Sequence, residues 1–249
     1  MRLTAAVSVV AAMAMGGVVV AAEGTAAPAR VVNAGIGGNN TRDLLARLDR
    51  DVLPEKPDLV VLMAGTNDVL NHANAVPLAE YRTNLQQLVK RIGDTGAKLI
   101  LMTIPPCYEP HLLTRHPAEF YGTAGPSGVI RQANEAVRSV AKESGAVLVD
   151  LNVLFTVLGE IGPGAGCVLR NEANSKSADG VHPTAAGYRL IATAVFQAIQ
   201  DRQLPHAKIV CFGDSITFGA NMAGAGKAEG DTYPGYLARL LAAAPVAAP

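Results

Sequence analysis

The chain has 249 residues, 49% of them hydrophobic, with 21 basic and 21 acidic side chains. That length holds one domain of ordinary size or two small ones, and the apolar share is enough for a proper core. The even charge implies no basic surface, so nucleic acid is not an expected partner.

Met1-Arg2-Leu3 opens an Ala/Val-rich run to Val20, followed by Ala21-Ala22-Glu23. A basic start, an apolar middle and small residues at the end predict a signal peptide over 1–22, cut after Ala22. The alternative is a retained membrane anchor, but Gly16-Gly17 and many alanines make the run weakly apolar for a permanent span. The expectation is a secreted or periplasmic protein without stable membrane association.

A small-residue linker then leads to a first strand at Arg30-Val31-Val32-Asn33, which breaks into the glycine loop Gly35 to Gly38. Asn40 or Thr41 can cap the next helix, whose Leu44, Leu45 and Leu48 share one face. Leu59-Val60-Val61-Leu62-Met63 is apolar at every position, the habit of a strand covered on both faces. It ends in Ala64-Gly65-Thr66-Asn67-Asp68. A helix from about Pro77 carries Tyr81, Leu85, Leu88, Val89 and Ile92 at helical spacing.

Lys98 to Thr103 is the next buried strand, stopped by Pro105-Pro106 and followed by a long polar loop with Tyr108, His111, His116 and Tyr121. A helix is predicted from about Gly128 to Ser144, a strand at Ala146 to Asp150, then a short apolar turn and a second glycine-rich loop, Gly159 to Gly166. Asp179-Gly180-Val181-His182-Pro183 precedes a helix in which Ile191, Ala194, Val195, Ala198 and Ile199 recur on one face. A brief polar connection reaches a fifth strand, Lys208 to Phe212, which runs into Gly213-Asp214-Ser215. A helix from Tyr233 to about Leu241 closes the pattern.

Strands and helices alternate throughout, which reads as α/β with a parallel sheet of about five strands and helices on both faces, a single domain over 30–244. Of the three cysteines, Cys211 lies inside a buried strand and is expected as a free thiol. Cys107 and Cys167 fall in loops, and a bridge between them stays open. No Cys-x-x-Cys or histidine cluster suggests a metal.

Three strands end in chemistry-bearing loops, and in a parallel sheet all three open on one edge. The Asp179…His182 loop, just before a helix, opens there too. Acyl transfer needs a nucleophile, a base, a group that orients the base and donors for the oxyanion. Ser215 supplies a hydroxyl just past a strand end, His182 a base, and Asp179 a carboxylate three residues away to hold the imidazole. The backbone N–H groups of Ser215 and Gly38, with the Asn67 amide, supply the oxyanion donors. Each piece alone has a plainer reading as a turn or helix cap. His72, His111, His116 and His206 lie in polar surroundings and read as surface residues.

Gly213-Asp214-Ser215-Ile216, Asn33-Ala34-Gly35-Ile36-Gly37-Gly38, Gly65-Thr66-Asn67-Asp68 and Asp179-Gly180-Val181-His182-Pro183 together resemble the four blocks of the SGNH (GDSL) hydrolase family. The resemblance implies a flavodoxin-like three-layer α/β/α fold and ester hydrolysis without a cofactor. It assigns the catalytic triad to Ser215, His182 and Asp179, and the oxyanion hole to Ser215, Gly38 and Asn67. Gly38 is preferred to Gly37 because it ends the block's Asn-x-x-x-x-Gly spacing. The order departs from the family: the serine block comes last, as in a circular permutation, so the Ile209 strand must insert between the Val31 and Leu59 strands.

The expected function is a secreted serine esterase that removes small acyl groups, acetyl above all, from a small-molecule or carbohydrate ester. A lipid-directed esterase or thioesterase, and an inactive binding module that retains the fold, are the alternatives.

Overall fold

The computed structural model describes residues 29–244. The predicted leader, residues 1–22, lies outside them.

Strand β1 (Arg30–Gly35) runs to helix α1 (Thr41–Asp51), then β2 (Leu59–Met63), the short α2 (Thr66–Leu70) and α3 (Leu78–Gly93). After β3 (Lys98–Met102) come the single turn α4 (Glu109–Leu112), α5 (Gly125–Ser144), β4 (Val147–Val149) and α6 (Leu151–Leu158). The one-turn α7 (Glu172–Ser175), α8 (Ala185–Asp201), β5 (Lys208–Gly213), α9 (Ser215–Phe218) and α10 (Tyr233–Ala243) complete the chain order.

The five strands form one sheet in the order β1-β5-β2-β3-β4, and every pairing is parallel. The last strand in sequence is therefore interior. It pairs Val31 with Ile209 on one side and Leu59 with Ile209 on the other, as the block order requires.

Side chains alternate across a strand, so each apolar run feeds two cores. Val60, Leu62, Leu101, Val210 and Phe212 pack with α1, α3 and α5 on one face. Leu59, Val61, Met63, Ile100, Ile209 and Cys211 pack with α6, α8 and α10 on the other. This is the flavodoxin-like three-layer arrangement, and it explains why β2 is buried at all five positions.

Local signals hold in most places. Asn40, not Thr41, caps α1, accepting from the N–H groups of Arg42 and Asp43 while the Asp43 carboxylate accepts from the N–H of Asn40. Two expectations are corrected. The "apolar turn" after β4 is a helix, α6, capped by Asp150, whose carboxylate accepts from Val153 N–H. Its sequence is apolar nearly all round, so it carries no polar face to reveal the helical period, and only Leu151 and Phe155 are buried. The fourth strand is shorter than predicted because Asp150 turns away to cap α6 and to pair with Arg138 at 2.8 Å.

All three cysteines are free and buried. Cys107 belongs to one core and Cys167 to the other, so the sheet separates them and the open bridge is not made. Burial pushes the Cys211 thiol up to about 12.

Candidate active site

All four singled-out loops meet at the carboxyl edge of the sheet, where open α/β folds place their ligands. β5 delivers the serine. At Gly213 an added Cβ would fall 2.5 Å from the Met63 carbonyl and 2.3 Å from the Thr217 hydroxyl, so only glycine lets the strand leave the sheet here. Asp214 is fully buried and accepts the N–H of Ile216 at 2.9 Å, which shapes the turn. Burial raises its carboxyl above the usual range. The Ser215 side chain then stands half-buried at the start of α9.

His182 Nε2 lies 2.9 Å from Ser215 Oγ. Its Nδ1 lies 2.9 and 3.0 Å from the two Asp179 carboxylate oxygens. Asp179 Oδ1 also accepts the N–H groups of Val181 and His182, at 3.0 and 2.9 Å. Burial alone would raise this carboxyl, but hydrogen bonds and charge from His182, helped by the backbone donors, outweigh it and hold it at about 2. The loop is strapped in place: His182 O accepts from Arg170 N–H, Gly180 N–H donates to Arg170 O, and Gly180 O accepts from Tyr108 N–H.

The other two loops face this dyad. Gly38 takes a φ of +80°, which presents its backbone as only glycine readily can. Its carbonyl accepts from Asn74 Nδ2 at 3.1 Å. Asn67 donates one N–H to the carbonyl of Asn39 at 2.9 Å, and its Oδ1 accepts from Asn71 at 3.3 Å. Its second N–H has no partner among the described residues. Gly38, Asn67, His182 and Ser215 line one cavity of about 310 Å³, together with Thr66, Leu70, Asn71, Leu112, Arg115, His116, Val181 and Ala220. Two larger depressions, of about 590 and 720 Å³, lie at the amino end of β3 and along β4, and no histidine lines either.

The structure thus brings together every residue singled out from the sequence: Ser215, His182, Asp179, Gly38 and Asn67. It also corrects the surface reading of His116 and His111, whereas His72 is exposed as expected. His116 lines the cavity and its Nδ1 sits 2.8 Å from that of His72. His111 is half-buried, its Nδ1 closed off without a partner. Arg115 and Asn71 were missed because they sit in loops with no periodicity or motif to mark them. Arg115 reaches the dyad from outside and donates to the Asp179 carbonyl.

Chemically, the set can pass a proton from the Ser215 hydroxyl to an imidazole held in one tautomer, beside amide donors suited to an oxyanion. Among the described residues no cluster of three or more metal-ligating side chains is present.

Comparison with known proteins points the same way. Residues 14–190 match the sequence model of the GDSL-like lipase/acylhydrolase family. An acetylxylan esterase from Geobacillus stearothermophilus is 32% identical over 182 residues, 68% of this chain and 72% of that protein. An uncharacterized lipoprotein from Bacillus subtilis is 30% identical over 184 residues, 70% of this chain and 73% of that one. Solved structures of the Geobacillus esterase, among them catalytic mutants at a serine and at a histidine, superpose with a TM-score of 0.52 at 31% and 30% identity, over 66% of this chain and 69% of theirs.

Proposed function

The chain is an ester hydrolase of the GDSL-like lipase/acylhydrolase family, and from that premise we propose that it cleaves small acyl groups, acetyl above all, from carbohydrate through an acyl-enzyme on Ser215. The observation that carries the reading is the unbroken relay from Ser215 Oγ through His182 to Asp179.

In the first step Ser215 Oγ attacks the ester carbonyl while His182 Nε2 takes its proton. Asp179, ionised at working pH, stabilises the imidazolium and keeps Nδ1 protonated. The oxyanion is met by the N–H groups of Ser215 and Gly38 and the free N–H of Asn67, each such donor worth about 3–4 kcal/mol of barrier. His182 returns its proton to the leaving alcohol. Water, activated by the same imidazole, then hydrolyses the acyl-enzyme.

The cavity supports a small acyl group. Leu70, Leu112, Val181 and Ala220 give it apolar walls, and about 310 Å³ is modest. Asn71, Arg115 and His116 give it a polar rim suited to a hydroxylated alcohol. The carbohydrate assignment is supported by the Geobacillus relative's own name. Secretion rests on the leader-like run, with a lipoprotein among the relatives in accord.

The block order supports a circular permutation. The family match ends at residue 190, short of Ser215, whereas the serine exchanged in the Geobacillus catalytic mutant lies near the start of that chain.

The test is acetate release from acetylated xylo-oligosaccharides and a nitrophenyl ester series, with fluorophosphonate labelling. Ser215→Ala and His182→Ala are expected to lose nearly all turnover while remaining folded. Rates that peak at long acyl chains would instead favour a lipid-directed esterase. No label at Ser215 in folded protein would leave an inactive binding module.

A further inference from the structure

Arg47 has no part in the chemistry above, yet its side chain, 6% exposed, lies under the site. Its guanidinium carries five N–H donors in one rigid plane. Nε donates to Asn39 Oδ1 at 2.6 Å, Nη1 to the Ala34 carbonyl and to Asp51, both at 2.9 Å, and Nη2 to the Gly213 carbonyl at 2.7 Å. The central carbon sits 4.5 Å over the Phe212 ring.

Asp51 is an ordinary neighbour four residues on along α1, but the other three partners are not. Gly213 closes β5 two residues before Ser215, and Ala34 is next to last in β1, just before the glycine loop. Asn39 follows Gly38, and its carbonyl is the acceptor that orients Asn67. One side chain therefore touches the segment bearing the hydroxyl and the segment bearing the glycine donor, and through Asn39 it reaches the amide donor. Arg47 and Gly213 are 166 positions apart, so chain connectivity does not impose this tie. A lysine has three donors on a flexible stem and cannot span the same four acceptors.

We propose that Arg47 is a positioning residue for the esterase reaction: it sets the spacing between Ser215 and the Gly38 and Asn67 donors. The inference rests on Ser215 being the nucleophile. A residue of this kind acts on transition-state fit and leaves ground-state binding largely alone.

The experiment compares Arg47→Lys, Arg47→Met and Asn39→Ala, each alone and combined with Asn67→Ala, by steady-state kinetics on p-nitrophenyl acetate with thermal melts alongside. Arg47→Lys is expected to lower kcat about tenfold to a hundredfold with KM within about twofold. On the Asn67→Ala background the further loss shrinks, because the donor set is already broken. Should the Arg47 variants fail to fold, Asn39→Ala removes only the Nε acceptor and the same coupling with Asn67→Ala is read from it. Fully multiplicative losses, an unchanged kcat, or a change confined to KM overturns the proposal. Fluorophosphonate labelling of Ser215 in the wild-type protein separates the two readings. Its absence sinks the esterase mechanism itself, whereas labelling together with an unaltered Arg47→Lys kcat sinks the positioning role alone.

Discussion

Asn67 lines the cavity and donates one N–H to Asn39, its second N–H having no partner among the described residues; under the proposed oxyanion role its replacement by alanine should act mainly on the chemical step. Asn67→Ala is expected to lower kcat by roughly 10²–10³ with little change in KM. A KM effect alone would remove Asn67 from the oxyanion hole. Behind it, Asp68 accepts the Thr41 N–H and hydroxyl, and burial, only partly offset by those bonds, raises its carboxyl to about 6. The folded state then holds this proton more tightly than the unfolded chain, whose carboxyl is near 3.8. The contribution of this carboxyl to stability falls as pH rises from about 4 to about 6 and levels off above. Asp179 has the opposite sign: its stabilisation is present above about 4 and lost as pH falls toward 2. Thermal melts from pH 4 to 7 should show the decline, and Asp68→Asn should flatten it and raise the neutral-pH melting temperature; the raised Asp214 carboxyl adds a slope of the same sign and the lowered His116 imidazole one of the opposite sign. An unchanged slope in the variant would refute the assignment.

β5 both positions the proposed nucleophile and is an interior strand of the sheet. Ile209, Val210, Cys211 and Phe212 are all fully buried, and the strand pairs on both sides. Burial of each large apolar side chain stabilises by about 1.5–3 kcal/mol, against a net stability of about 5–15 kcal/mol for a whole domain. A chain ended at His206 should therefore fail to form a cooperative fold and expose the edges of β1 and β2 to aggregation. Circular dichroism and melting curves check this, and a truncated chain that melts sharply would show that the sheet closes without β5. The helices teach a related lesson. α1, α3, α5, α8 and α10 were readable because each has an apolar stripe, whereas α6 was not, because its apolar residues face both core and solvent.

Taken whole, the molecule places its serine segment last in sequence and second in the sheet. If the permutation proposal is right, a rearranged chain with 207–244 ahead of 29–206, joined by a short flexible linker, should fold and hydrolyse the same esters. Loss of activity in a rearranged chain that still folds would argue that the present order is required for the site. From the residues alone came the alternating α/β class, the parallel sheet and the five candidate site residues, because apolar runs and glycine-marked loops are local signals that survive without coordinates; the insertion of β5 came from the block order that the family resemblance implied. The shape of the cavity, the approach of Arg115 and His116, the separation of Cys107 from Cys167 and the reach of Arg47 to both the glycine loop and the serine segment needed the folded chain. Many of those relations join residues far apart in sequence, Arg47 and Gly213 by 166 positions, and no local pattern encodes a distance that only packing creates.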